Sequence, residues 1–234
     1  MTPKTLSNYQ GAYKRYLAPQ LGNIPVVDIQ KSQILNALKD LPPQTHYQAL
    51  MTSRVIFREA LEHELINTSP SASIKTKRIT VKPQKFLTWE EIQNTDFGKY
   101  DSQIKFLALH GLRWGEAVAL TEDDISDNKV NINKSIHGPT KTKSGNRSVP
   151  YFGYFKKFPS SRITLAKVLE PYGVTIHSLR KTYAYFLKSN NVHVTTASKF
   201  MGHSNPLITL KIYTLVLDDE IDQIGEKLRL ELTK

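Results

Sequence analysis

Apolar residues recur at helical spacing along almost the whole of this 234-residue chain, and alternate with polar ones in a single stretch, residues 129 to 150. A period near 3.6 lays an apolar stripe along one helix face, whereas a period of two faces a sheet. The chain is therefore expected to be mainly α with a small β-sheet.

Prolines, glycines and capping residues divide the helical pattern. Thr2 before Pro3 reads as an N-cap with proline in the first turn, and Leu6, Tyr9, Tyr13 and Tyr16 follow at helical spacing until LGNIP interrupts them. Ile34, Leu35, Leu38 and Leu41 form a second stripe that the proline pair at 42 and 43 ends, and Thr45 is placed to cap a third helix running to about Glu64. Residues 1–72 are thus expected to form a small helical domain around one modest core. Thr88 and Glu91 in LTWEE have the spacing of a capping box, so a second domain is expected over residues 87–234. It reads as a helix ending near LALHG, a short helix at WGEAVAL, and a hairpin or small sheet over 129–150 in which Val130, Ile132 and Ile136 alternate with polar residues. Helices are expected to follow at about 164–170, 177–189, 195–201, 206–217 and 219–232.

Charge narrows the partner. The chain carries 32 Lys and Arg against 21 Asp and Glu, a formal charge of +11 that attracts polyanions. The excess is clustered. From Ser69 to Thr88 there is no acidic residue, while Lys75, Lys77, Arg78, Lys82 and Lys85 crowd the segment, so residues 73–86 read as a basic interdomain linker. Residues 128 to 169 hold nine basic residues and no acidic one, a second positive patch that includes Lys143 and Arg147. No apolar run approaches the ~20 residues of a membrane-spanning helix, and the N-terminus lacks the apolar core of a signal peptide. The expectation is a soluble, intracellular protein with no membrane partner. The absence of cysteine excludes disulfide frameworks, thiolate metal sites and cysteine nucleophiles. Zinc spacings and H-E-x-x-H are absent too, and Asp123 and Asp124 in LTEDDI read as part of a turn.

Several residues could carry chemistry. Arg113 in GLRWGEAVAL opens a helix, where its planar fork can point outward, and Glu116 three residues on is placed to hold it. Taken alone, R-x-x-E is as well explained by a local ion pair. His177 and Arg180 in IHSLRKTYAYF are three apart and are expected on one helical face. His203 in MGHSNP follows a helix stop, in a glycine turn where a side chain can meet a ligand. Tyr213 lies in a helix whose Leu207, Ile208, Leu210 and Ile212 look like core, so packing is its ordinary explanation. In combination these groups suit a phosphate: guanidiniums and imidazoles clamp a phosphoryl group while a hydroxyl attacks it.

In this order the motifs resemble those of the tyrosine recombinases, the phage-integrase family, over nearly the full length. GLRWGE is similar to that family's first-arginine box, TKTKSGNRSVP to the hairpin presenting its catalytic lysine, HSLRKT to its second box, and FMGHSNPLITLKIYT to the closing box that ends in the nucleophile. The resemblance implies a helical core-binding domain tethered to an α-rich catalytic domain. It also implies that Tyr213 attacks a DNA phosphodiester to give a 3′-phosphotyrosyl bond and a free 5′-hydroxyl, without cofactor or metal. A free phenol has a pKa of about 10, so the attack needs help. By resemblance Arg113, Arg180 and His203 stabilise the non-bridging oxygens, His177 is the candidate general base, and Glu116 supports Arg113. The leaving oxygen receives its proton from the hairpin lysine, Lys141 by its K-T step, with Lys143 as the alternative because strand residues two apart face the same side.

Departures from the pattern are few. Lys181 stands where the second box often has another histidine, and the short stretch between Pro150 and His177 leaves room only for a brief helix. Residues 1–234 include no segment that resembles the arm-site-binding domain of many phage integrases. By the same resemblance, Lys75, Lys77, Arg78, Lys82, Lys85, Lys143 and Arg147 would track phosphates of double-stranded DNA. A C-terminal helix carrying Ile221, Ile224, Leu228 and Leu232 would join protomers into a homotetramer on synapsed DNA, with accessory DNA-bending proteins as further partners. The competing functions are a type IB topoisomerase using the same groups and a catalytically idle DNA-binding protein of this fold.

Overall fold

A computed structural model describes residues 3–80, 84–140, 143–214 and 229, which fall into two units, Met1–Lys82 and Pro83–Lys234. Lys82, Lys141 and the side chain of Lys143 lie outside the described residues. So do Thr2 and the C-terminal stripe of Ile221, Ile224, Leu228 and Leu232.

The first unit is helical. Helix α1 (Pro3–Ala12) runs through a π-helical turn, Tyr13–Leu17, into α2 (Ala18–Leu21). After it come α3 (Lys31–Leu38) and α4 (Pro43–Glu62). Their core gathers Leu17, Leu21, Ile34, Leu38, Leu50 and Phe57. Of the residues read as the apolar stripes, Leu6 and Leu35 are exposed, and Tyr13, Tyr16 and Leu41 only pack partly against this core. Helix α3 stops at Leu38, ahead of the proline pair expected to end it, and Pro42 and Pro43 instead begin α4, with Pro42 at the N-cap and Thr45 already inside the first turn. Proline suits that position because a first-turn N–H has no partner within the helix. Ile74 belongs to the core, its carbonyl accepts from Arg54 Nη2 at 2.7 Å, and Lys77 Nζ donates to the carbonyls of Lys39 at 2.7 Å and Leu41 at 2.9 Å.

The second unit opens with α5 (Trp89–Gln93), whose capping box is present: Thr88 N donates to Glu91 Oε2 at 2.7 Å, and Glu91 N to Thr88 Oγ1 at 3.2 Å. Helix α6 (Asp101–His110) is buried along most of its length and ends on Gly111 at φ 60°. Short helix α7 (Trp114–Ala119) leads to five strands: β1 (Ile125–Ser126), β2 (Lys129–Ile132), β3 (Lys134–Ser135), β4 (Gly138–Pro139) and β5 (Arg147–Pro150). The antiparallel sheet has order β1-β2-β5, with buried Val130 opposite buried Val149, and β3 pairs with β4 separately. Ile136 was expected within the alternation but lies exposed in the β3–β4 turn, where its N–H donates to Gly115 O at 2.9 Å.

Helices α8 (Arg162–Leu169), α9 (Leu179–Ser189), α10 (Val194–Met201) and α11 (Pro206–Thr214) follow among the described residues. One core joins α5, α6, α7, the sheet, α8 and the start of α9; a second joins α9 to α10 around Tyr183, Leu187, Ala197 and Met201. Helix α11 corrects the sequence expectation. Leu207 is 57 % exposed, and Ile208 and Leu210 are exposed as well, whereas Thr209 is buried and Ile212 and Tyr213 pack on the second core. Positions i, i+3 and i+4 share one helix face, and that face is the one α11 buries.

Candidate active site

The candidate site is assembled at the C-terminal end of α10. A helix leaves its last carbonyls without intrahelical partners and with a partial negative charge. Here three consecutive carbonyls each accept from an arginine of a different element. Phe200 O accepts from Arg147 Nε at 2.7 Å, Met201 O from Arg180 Nη2 at 2.8 Å, and Gly202 O from Arg113 Nη2 at 3.0 Å. Strand β5, helix α9 and the residue opening α7 are thereby held at one helix end. Gly202 closes α10 at φ 64°, and a Cβ there would lie 2.7 Å from Arg147 Nη1. Both the left-handed backbone and the approach of the guanidinium require glycine.

Arg113 and Arg180 occupy different surroundings. The side chain of Arg113 is 45 % exposed, and Glu116 holds it through Nη1–Oε1 at 2.8 Å and through its backbone N–H to Oε2 at 2.8 Å. Arg180 is 3 % exposed; its Nη1 donates to Gly111 O and its Nη2 to Met201 O and His203 Nε2, the last at 3.1 Å. Burial, then the positive charges of Arg113 and Arg147, lower its pKa to about 9, which leaves it protonated at neutral pH. Arg147 also turns inward. Its side chain is 6 % exposed and forks onto Glu116, Nη2 to Oε2 at 2.9 Å and Nη1 to Oε1 at 3.3 Å. The reading of Arg147 as a phosphate-tracking surface cation is therefore corrected. Burial by itself raises the Glu116 carboxyl, but the bonds and charge of Arg147, then those of Arg113, hold it down at about 2.

The two histidines differ as well. Arg180 can only donate, so His203 Nε2 accepts, and Nδ1 carries the proton given to Thr209 Oγ1 at 2.9 Å. Desolvation, then Arg180, Arg113 and Arg147, push the His203 pKa down to about 4, so the ring is neutral. Nothing in the sequence pattern singles out Thr209; only its burial beside the imidazole does. His177 is not on the face of α9, as the spacing suggested. Thr175 and Ser178 bond reciprocally, Thr175 N to Ser178 Oγ at 2.9 Å and Ser178 N to Thr175 Oγ1 at 3.2 Å, and the helix begins only at Leu179. His177 stands in that turn with its carbonyl accepting from Arg180 N at 3.2 Å. Its pKa is lowered by partial desolvation, then by Arg180, Lys181, Arg162 and Arg113.

Tyr213 packs against the second core, and its hydroxyl donates to Val192 O at 3.3 Å, between α9 and α10. Its carbonyl accepts from Lys188 Nζ at 2.9 Å. Desolvation pushes the phenol up to about 12. Beside Arg113 a cleft of about 420 Å³ opens between α7 and the β3–β4 pair, lined by Trp114, Ser135, Ile136 and His137.

Among the basic residues read as phosphate contacts, Lys75, Arg78 and Lys85 are exposed. Lys77 instead spends two of its donors on the carbonyls after α3. Among the described residues no group of three or more His, Asp or Glu is placed to hold a metal ion, and no helix is long and apolar enough to cross a membrane.

No protein-family model matches the sequence, and no curated protein matches it by sequence. Solved structures do match. The integrase of transposon Tn1549, solved in complex with transposon right end DNA, is 18 % identical with a TM-score of 0.75, covering 98 % of this chain and 95 % of that one. A lambda integrase dimer bound to a core site is 17 % identical with a TM-score of 0.72, covering 91 % of this chain and 72 % of that one. A lambda integrase tetramer on a Holliday junction matches equally, at 17 % identity, TM-score 0.72 and the same coverage. The order of helices around the small sheet is thus the fold of the tyrosine recombinase integrases.

Proposed function

We propose that the chain is a site-specific DNA recombinase that breaks and rejoins strands through Tyr213. The observation that carries this reading is the meeting of Arg113, Arg180 and His203 at the end of α10, with Tyr213 on the helix that follows. Exposed Arg113 offers its guanidinium to a non-bridging phosphate oxygen, while buried Arg180 fixes His203 and adds charge from beneath. The Tyr213 oxygen bonds to phosphorus as the bond from phosphorus to the 5′-oxygen breaks. The phenolic proton passes to neutral His177, and the departing 5′-oxygen takes a proton from Lys141, or from Lys143 in its place. Rejoining reverses these transfers, so the phosphotyrosyl ester conserves the energy of the broken bond. For the attack to occur, the Tyr213 hydroxyl leaves Val192 O and turns to the arginines.

Residues 1–72 serve as the core DNA-binding domain, 73–86 as a basic linker and 87–234 as the catalytic domain. Exposed Lys75, Arg78 and Lys85, joined by Lys82 and Lys143, neutralise backbone phosphates. The solved neighbours contain DNA, one of them as a tetramer on a Holliday junction. By that likeness the substrate is duplex DNA and the working form a tetramer on two synapsed sites, aided by DNA-bending proteins. The protein acts in the cytoplasm of a bacterial host, on the nucleoid.

The test is a nicked suicide duplex carrying the crossover site. Wild-type protein is expected to form a denaturant-stable, protease-sensitive adduct that Tyr213→Phe abolishes, and to exchange strands between two duplexes. Relaxation of any supercoiled plasmid regardless of sequence would assign the chain to the topoisomerases. Salt-sensitive binding with no adduct would make it an idle binder.

A further inference from the structure

Arg147 occupies a position that neither surface charge nor core packing explains. It is a guanidinium with a 6 % exposed side chain, and its bonds reach three parts of the catalytic unit. Nε serves Phe200 O at the end of α10, Nη1 serves Gly145 O in the turn Lys143–Gly145, and both Nη atoms meet the Glu116 carboxylate on α7. An apolar residue could fill this space without the cost of removing a charge from water.

Occupancy of the carboxylate decides what the guanidinium does. Glu116 Oε2 accepts from Arg113 N and Arg147 Nη2, and Oε1 accepts from Arg113 Nη1 and, at 3.3 Å, from Arg147 Nη1. The Arg113 side chain therefore makes a single bond to the carboxylate, and its Nη2 lies instead against Gly202 O. Without Arg147, lone pairs on both Glu116 oxygens would be free. A planar guanidinium prefers to take a carboxylate with two parallel N–H groups. Arg113 would then rotate its fork onto Glu116, and Nη2 would leave the end of α10. The local charge facing an incoming phosphate would also fall, since Arg113, Arg147 and Arg180 act together with Glu116, and only Arg113 and Arg180 would remain to outweigh it.

We propose that Arg147 is a positioning residue for Arg113: by occupying Glu116 it keeps the Arg113 guanidinium from closing on its own carboxylate and holds it toward the scissile phosphate. This rests on the recombinase reading above. Gly202 belongs to the same device, because a Cβ there would displace the Arg147 fork. Arg147 touches no reacting atom; it acts through Arg113.

The experiment compares adduct formation by wild type, Arg147→Gln, Arg147→Lys and Arg113→Ala on two suicide duplexes. One carries an ordinary scissile phosphate and the other a methylphosphonate, which lacks one anionic oxygen and so has less need of Arg113. On the phosphate, Arg147→Gln is expected to slow cleavage at saturating DNA by up to about a hundredfold, the scale of a misplaced catalytic group, with half-saturating DNA concentration changed by less than about threefold. On the methylphosphonate the defect should shrink by about tenfold or more, in step with that of Arg113→Ala. Arg147→Lys keeps the charge but not the fork, and should show a smaller defect with the same substrate dependence. It carries the comparison if the glutamine variant does not fold. Equal slowing on both duplexes would mean a general structural role, and cleavage within about twofold of wild type would mean no role at all; either overturns the proposal while leaving the recombinase reading intact. No adduct from wild type on the phosphate duplex would remove both.

Discussion

Arg180 Nη2 lies 3.1 Å from His203 Nε2, and because a guanidinium has only donors, this contact fixes the tautomer of the imidazole. The ring presents its proton to Thr209 through Nδ1 and is held neutral, with a pKa of about 4. His203 is therefore expected not to titrate between about pH 5 and 8, the range in which an ordinary histidine does. Heteronuclear NMR of ring-labelled protein checks this, and an inflection near the ordinary histidine value would contradict the arrangement. Thr209→Val should free the ring without opening a cavity, at a stability cost of about 1 kcal/mol.

His110 should be one of the groups that set acid stability, together with His203 and Glu116. This ring is fully buried, its Nδ1–H donates to Phe106 O at 2.8 Å, and Nε2 accepts from Phe152 N at 2.9 Å. Desolvation outweighs the carbonyl bond and lowers its pKa from 6.5 to about 4. As pH falls through the unfolded value the unfolded chain takes up a proton that the native state refuses, so stability drops with falling pH down to the native pKa. The loss amounts to about 3 kcal/mol, and above the unfolded value the group contributes no pH dependence. Urea denaturation of the wild type and of His110→Gln across this range reads the effect, which should be smaller in the variant, with the part due to His203 remaining.

Removing the Tyr213 hydroxyl separates chemistry from folding. Its single bond to Val192 O is long, at 3.3 Å. Tyr213→Phe should lose all covalent adduct while its unfolding free energy stays within about 1 kcal/mol of wild type. Chemical denaturation alongside the suicide-substrate assay measures both.

Gly202→Ala should damage both stability and the site. The left-handed backbone at φ 64° costs an L-residue about 1–2 kcal/mol, and the new Cβ would meet the Arg147 guanidinium. A lower urea midpoint together with reduced adduct formation is the expected result.

Salt dependence distinguishes exposed cations from internal ones. Lys75→Gln and Lys85→Gln should each reduce the log–log salt slope of DNA binding by about 1, as loss of one phosphate contact does. Lys77→Gln should leave that slope unchanged and lower stability instead, since its ammonium bonds the carbonyls after α3. Binding isotherms at several salt concentrations give the slopes.

Local rules determined much of this protein. Apolar periodicity placed the helices, the reciprocal Thr88–Glu91 cap placed the start of α5, the alternation at Val130 and Ile132 marked the small sheet, and motif order singled out Arg113, His177, Arg180, His203 and Tyr213. Each of these signals operates within a few residues of chain. Tertiary structure alone decided how those residues are used. It turned Arg147 inward onto Glu116, put His177 in a turn before α9, left Leu207 and Leu210 exposed, and set the Tyr213 hydroxyl on Val192. The physical reason is that unpaired carbonyls at the end of α10 and a buried carboxylate on α7 must be satisfied by whatever donors the fold brings near. Those donors come from β5, α9 and the start of α7, and spacing along a sequence carries no record of a partner 21, 53 or 89 residues away.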